Sequence, residues 1–261
     1  MTTPLLRLDG VHAGYRDVAI IRGVSLHVDP GEVVCVIGPN GAGKSTVLKA
    51  IMGLLRILHG EIVLAGENIT SLATERHVDV GIGYVPQVAN VFAALTVREN
   101  LILSVKRRKD QPQAIEEVLQ FFPELRSKLA LNAGAMSGGE RQMLAFARCL
   151  IVKPRLLLLD EPTAALSPLL VGGIFQKIKE IAALGTAVLL VEQNAIRALE
   201  ISDRAIVLSN GANAAEGTGA ELLANPRIKE LYLGGKPSDA APRSRPIEGA
   251  LVMTSGKDHP Q

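Results

Sequence analysis

Cysteine is scarce. Two occur in 261 residues, with no spaced partners for a metal site or a disulfide framework. Cys35 lies in an apolar strand-like run and Cys149 in an apolar helical run, so both read as small core residues of a protein in a reducing compartment. The five histidines are scattered without ligand spacing. Long hydrophobic runs are also missing: residues 156–159 form one of the longest, far short of the ~20 residues that cross a bilayer. The opening Met1-Thr2-Thr3-Pro4 lacks a charged stretch leading into an apolar one, so no secretory signal is expected. The chain should be soluble and should meet any membrane through a partner. A surplus of one charge sign is absent too. The formal net charge of +2 gives no whole-chain attraction to an acidic partner, which argues against nucleic acid. The short basic run Lys106-Arg107-Arg108-Lys109 is expected to be a solvated helix end that complements the helix dipole.

Core material, by contrast, is ample. Hydrophobic residues make up 48% and charged residues 21%, enough for one domain with a subdomain. Short apolar runs alternate with helical patterns, which predicts an α/β fold on a largely parallel sheet. Residues 32–37 are β-branched and almost uniformly apolar, as a strand buried on both faces should be. A helix is expected over 44–52, with Gly53 as its stop. Residues 5–11 and 24–28 alternate in the manner of a half-exposed antiparallel patch.

From about 95 to 152 the patterns turn helical, and Ile115, Val118, Leu119 and Phe122 trace one packed face. We expect a helical docking subdomain there. Strand and helix patterns resume at 155, with core strands at 156–159 and 187–191 and a helix face marked by Ile174, Ile178 and Ile181. From Gly235 to the end the chain is rich in Pro, Gly, Ser and Arg without periodicity, and residues 235–261 read as a disordered tail.

Three segments carry chemistry. Gly38-Pro39-Asn40-Gly41-Ala42-Gly43-Lys44-Ser45-Thr46 contains G-x-x-x-x-G-K-[ST] between a strand and a helix. Its glycines let successive N–H groups face phosphate oxygens at a helix N-terminus. Lys44 should reach the β- and γ-phosphates, and the Ser45 hydroxyl should ligate Mg²⁺. Leu156-Leu157-Leu158-Leu159-Asp160-Glu161 drives a strand into the core and delivers two carboxylates at its end. Asp160 is placed to hold the magnesium, and Glu161 to orient or deprotonate an attacking water. No acceptor-site motif accompanies them, which favours water over an acceptor hydroxyl and ranks a small-molecule kinase lower.

The third segment is Met136-Ser137-Gly138-Gly139-Glu140. Ser137 as N-cap and Glu140 three residues on form a capping box, so those two have a local explanation. Two consecutive glycines do not, because glycine weakens a helix start unless something must approach the backbone. A phosphate at this N-terminus would be the natural occupant.

Together with Gln87 and Asp160-Glu161-Pro162, these segments resemble the ATP-binding-cassette ATPases in order and spacing, over nearly all of residues 5–234. The resemblance implies a P-loop NTPase core of α/β class with a mixed sheet, an antiparallel patch and a helical subdomain, spanning 1–234. It implies two subunits packed head to tail, each offering Ser137, Gly138, Gly139 and Glu140 to the ATP held by the other. Gln87, after the strand Gly83-Tyr84-Val85, would link magnesium and water to the helical subdomain that meets a membrane protein. Tyr15 is placed to stack on adenine, or is simply a strand aromatic. Ala165-Leu166-Ser167-Pro168 matches the loop where the two subunits touch.

One position departs from the common pattern. The histidine usual after the last core strand is replaced in Leu190-Val191-Glu192-Gln193-Asn194 by Gln193, which can donate a hydrogen bond but carries no proton or charge. That replacement resembles the second ATPase of branched-chain amino-acid importers, as do Thr96-Val97-Arg98-Glu99-Asn100-Leu101 and Leu231-Tyr232-Leu233-Gly234-Gly235. Against it, that branch commonly has glutamate in place of Gln87, and relatives for amides or urea share much of the pattern. The expectation is therefore an ATP- and Mg²⁺-dependent importer subunit at the cytoplasmic face of the membrane. Its partners would be a second cassette subunit, itself or a paralogue, membrane-spanning permease subunits, and indirectly a substrate-binding protein. A soluble cassette ATPase usually carries tandem cassettes or coiled-coil inserts, and this sequence has neither.

Overall fold

A computed structural model of the protein describes residues 3–228, apart from 17, 89, 165 and 227. In chain order its strands and helices are β1 (Leu6–Tyr15), β2 (Val18–Val28), β3 (Val33–Ile37), α1 (Lys44–Ile51), β4 (Arg56–Leu64), β5 (Glu67–Asn68) and β6 (Ile82–Val85). There follow α2 (Val97–Ile102), α3 (Gln111–Phe121), α4 (Gly138–Leu150), β7 (Leu156–Asp160), α5 (Pro168–Ala183) and β8 (Ala187–Val191). The described part ends with α6 (Ala195–Ile201), β9 (Arg204–Ser209), β10 (Ala212–Thr218) and α7 (Gly219–Ala224). The run 231–235 and the expected tail from Gly235 lie outside the described residues.

Two sheets form. The first has order β2-β1-β4-β5 and is antiparallel, as the alternation near the N-terminus predicted. The second has order β10-β9-β3-β8-β7-β6, parallel except for the β9–β10 pair. Alternation within its buried strands feeds two cores. Cys35, Ile37, Leu157, Leu159 and Leu190 face the core shared with α2 to α6. Val34, Val36, Leu156, Leu158 and Leu189 face α1 and the antiparallel sheet. Burying each leucine of 156–159 stabilises the fold by roughly 2 kcal/mol, which is why a run with no polar face can only be a central strand.

Residues 97–150 contain helices and 3₁₀ turns, tied at their base by the bridge Thr96–Asn132. Ile115, Val118, Leu119 and Phe122 are buried there together. The basic run 106–109 is exposed but does not end a helix. α2 stops at Ile102, and Arg108–Asp110 form a 3₁₀ turn that leads into α3. The charges thus precede a helix start, where the dipole does not favour cations, and Lys106 instead pairs with Asp79 at 2.6 Å. Among the described residues no helix is long and apolar enough to cross a membrane.

Candidate functional site

Four chain segments meet at the carboxyl ends of β3, β6, β7 and β8, the edge where open α/β sheets bind ligands. The first is the loop between β3 and α1. At Gly38 (φ +153°) a Cβ would lie 2.3 Å from the Leu208 carbonyl oxygen, and at Gly43 (φ +97°) it would lie 2.8 Å from Ile21 Cγ2. Only glycine permits both the turn and the contact. Within this loop Lys44 is 5% exposed, and its Nζ donates to the carbonyl oxygens of Gly38 (3.0 Å) and Pro39 (3.2 Å). An ammonium has three donors, so one remains for a phosphate. The Ala42 N–H donates to Pro39 O at 3.1 Å and rounds off the turn, while Pro39, Asn40 and Gly41 stay exposed. Thr46 is buried in the first turn of α1.

The second segment is the end of β7. Asp160, 4% exposed, accepts from Ser45 Oγ at 2.7 Å through Oδ1 and from the Tyr84 hydroxyl at 3.3 Å through Oδ2. A serine hydroxyl against a buried carboxylate is a hard-oxygen pair, the donor type that Mg²⁺ prefers. Burial, with the Asp160 charge adding to it, pushes the Tyr84 hydroxyl well above its ordinary value, so Tyr84 remains a donor. Glu161 takes up the left-handed region at φ +46°, strained for a residue with a side chain, and its N–H donates to Val191 O at 2.8 Å.

The third segment follows β6. Gln87 Nε2 donates to Glu161 Oε2 at 2.7 Å, so this amide meets Glu161 rather than the Ser45–Asp160 pair. Further along, Asn90 Nδ2 donates to Gln142 Oε1 (2.8 Å) and Asn90 O accepts from Arg148 (2.8 Å), whose guanidinium lies 4.6 Å from the Phe92 ring centre. The loop of Gln87 is therefore fastened to α4, the helix that begins at Gly138.

The fourth segment follows β8. Exposed Gln193 lines a cleft of about 440 Å³ with Glu161, Thr163, Leu166, Glu192 and Asn194. A larger cavity of about 700 Å³ lies at the amino ends of the same strands, lined by Pro30, Pro154, Arg155 and Thr186 among others, and holds none of the motif residues. Tyr15, at the end of β1, is 53% exposed and its hydroxyl accepts from Lys49 Nζ at 3.3 Å.

Ser137 to Glu140 stand apart on the helical region. The capping box forms, with Ser137 Oγ accepting from Glu140 N–H (3.4 Å) and Glu140 Oε2 accepting from Ser137 N–H (2.9 Å). The two glycines behave differently. Gly139 is buried, and a Cβ there would lie 2.8 Å from Leu170 Cδ1 of α5; Gly138 is exposed and its nearest such neighbour is Leu166 Cδ2 at 3.3 Å. Packing within the chain thus accounts for Gly139, which the sequence alone leaves unexplained, whereas at exposed Gly138 a Cβ asks only the flexible end of Leu166 to give by a few tenths of an ångström.

Sequence reasoning missed Tyr84, Thr163 and Glu192 as parts of the site. Tyr84 had a signal, a hydroxyl in a strand that pairs with β7. Thr163 and Glu192 are brought together only by the tertiary fold, 29 residues apart.

A glycine loop at a helix start, a buried lysine, a half-buried serine, and a carboxylate at the neighbouring strand end define a P-loop nucleotide-binding protein. A match to the family described as ABC transporter covers residues 21–164. The high-affinity branched-chain amino acid transport ATP-binding protein BraG of Pseudomonas aeruginosa is 42% identical over 88% of this chain and 100% of its own. The probable branched-chain amino acid transport ATP-binding protein LivF of Archaeoglobus fulgidus is 44% identical over 88% and 99%. A crystal structure of a nucleotide-free ATP-binding cassette from an ABC transporter superposes with a TM-score of 0.80 at 27% identity, covering 88% of this chain and 98% of that one. The chain belongs to the ABC transporter family, as an ATP-hydrolysing cassette subunit.

Proposed function

We propose that this chain energises an importer for branched-chain amino acids from the cytoplasmic face of the cell membrane. Residues 1–234 would form one cassette domain, with about 95–152 as its docking subdomain. It would act with a second cassette subunit, itself or a paralogue, with membrane-spanning permease subunits, and indirectly with a substrate-binding protein. The observation that carries the ATPase reading is the convergence of Lys44, Ser45, Asp160, Glu161 and Gln87 at one sheet edge, with the Ser45–Asp160 and Gln87–Glu161 contacts both at 2.7 Å. The cargo reading rests on the likeness to relatives named for branched-chain amino acids.

Lys44 and the N–H groups of the loop would bind the β- and γ-phosphates, and Tyr15 would stack on the adenine. Ser45 and Asp160 would hold Mg²⁺, while Gln87 reaches that site through Glu161; when bound, the ion offsets charge on the phosphate oxygens. Glu161 would orient and deprotonate the water that attacks the γ-phosphorus, its carboxylate held by the Gln87 amide. Gln193 would donate to the γ-phosphate. Ser137, Gly138, Gly139 and Glu140 would close over the partner's ATP.

Glu161→Gln is expected to lower hydrolysis by about 10²- to 10⁴-fold while ATP binding persists and an ATP-dependent dimer accumulates on size exclusion. Hydrolysis at the parent rate would remove Glu161 from this role. Uptake of labelled leucine in cells with and without the chain tests the cargo, and unchanged uptake overturns that part alone.

A further inference from the structure

Directly after β8, the carboxylate of Glu192 is buried, 2% exposed, between two segments of the site. Among the described residues it forms no ion pair, yet both oxygens are occupied. Oε1 accepts from the Thr163 N–H at 3.0 Å and the Thr163 hydroxyl at 2.7 Å. Oε2 accepts from the Gln193 N–H at 3.1 Å and the Asn194 N–H at 3.3 Å. A buried charge without partners costs several kcal/mol or neutralises. Here burial is the dominant influence and lifts the Glu192 pKa above the ordinary 4.5, and the donors of Thr163, Asn194 and Gln193 offset part of that rise.

All four donors belong to the segments that follow the two reacting strands. Thr163 stands two residues beyond Glu161, and Ala164 N–H closes that turn on Glu161 O at 3.0 Å. Gln193 is the next residue on the other side. The strained backbone of Glu161 persists only where its surroundings fix it. The Val191 carbonyl fixes one end of the turn, at 2.8 Å from Glu161 N, and Glu192 fixes the other through Thr163. Four donors also specify an acceptor-only group. A glutamine of the same size would turn its NH₂ onto N–H or O–H donors on one side.

We propose that Glu192 is the positioning residue of this site: it latches the Glu161 turn to the Gln193 turn, so that the water-activating carboxylate and the γ-phosphate donor keep one mutual geometry. Both of its oxygens are already taken by Thr163, Gln193 and Asn194, so its role is to hold the two turns. This rests on the ATPase reading above, and it adds to that reading a named physical link between the two turns.

The test is a double-mutant cycle on the full-length chain, reading kcat for MgATP hydrolysis and MgATP affinity for the parent, Glu192→Gln, Gln193→Ala and the double variant. Glu192→Gln is expected to lower kcat by about 10- to 100-fold, the usual cost of losing a group that orients another, with ATP affinity nearly unchanged. The double variant should be little slower than the slower single one, because both break one unit. Losses that multiply, or an ATP affinity that falls in step with kcat, overturn the latch in favour of general loosening. Thr163→Val removes one donor and keeps the shape, so it serves if Glu192→Gln does not fold; an unchanged kcat there also overturns the proposal. Glu161→Gln runs in the same series. A parent rate that does not depend on Glu161 defeats the ATPase reading and the latch together, whereas a Glu161-dependent parent rate kept by Glu192→Gln defeats the latch alone.

Discussion

Gly43 in the phosphate loop and Gly138 at the start of α4 are both glycines at a helix N-terminus, and they are glycines for different reasons. Gly43 has a left-handed backbone and is closed in by Ile21, so the fold of this chain demands it. Gly138 has an ordinary backbone, lies exposed, and would have a Cβ no nearer than 3.3 Å to Leu166. On our proposal Gly138 stays small because this surface meets something outside the chain. The phosphate loop is finished within one molecule. The Ser137–Glu140 segment, on our proposal, is finished only by a second.

The strongest way to break that contrast is to place the same side chain at both positions. Gly43→Val forces a β-branched residue to φ +97° against Ile21. It should cost about 3 kcal/mol of stability and abolish ATP binding, read by urea unfolding and by nucleotide titration. Gly138→Val should cost no more than about 1 kcal/mol and leave ATP binding by the monomer intact. In the Glu161→Gln background it should prevent the ATP-dependent dimer. A dimer that forms equally well with valine at 138 would end the claim that this surface closes over a partner's nucleotide, and would leave Gly138 without a function.

Much of the finished half was legible in the sequence. The apolar strands β3, β7 and β8 carry their burial in composition, and the phosphate loop lies between a strand and a helix as its motif requires. Less visible were contacts between distant residues. Gln87 reaches Glu161 across 74 positions and Tyr84 reaches Asp160 across 76, and no local periodicity encodes such pairs. Glu192 sat unread beside Gln193 because a carboxylate after an apolar strand looks like an ordinary polar strand end until its burial is seen. The polar strand β10, Ala212-Asn213-Ala214-Ala215-Glu216-Gly217-Thr218, has no apolar alternation to announce it and is held at the sheet edge by pairing with β9. The glycine pair was legible as a pair, but its division into a packed member and an exposed one depends on where α5 lies.

The smallest effect sharpens the contrast from the other side, by asking whether α4 starts without help from a partner. Lys128 Nζ lies 2.9 Å from Glu140 Oε1, and with the Ser137 N–H it holds the Glu140 carboxyl below its ordinary value of 4.5. The folded state thus prefers the ionised form, so this contribution is present above about pH 4.5 and is lost as pH falls through the lowered folded value. Glu140→Gln should therefore destabilise the monomer by about 0.5–1 kcal/mol at neutral pH, measured from urea midpoints. The gap should narrow when the comparison is repeated below about pH 4. A gap independent of pH would mean that the amide loses packing rather than charge. A gap that narrows as expected means that Ser137 and Glu140 serve the helix start in the lone subunit, which leaves exposed Gly138 as the residue whose identity the lone subunit explains least.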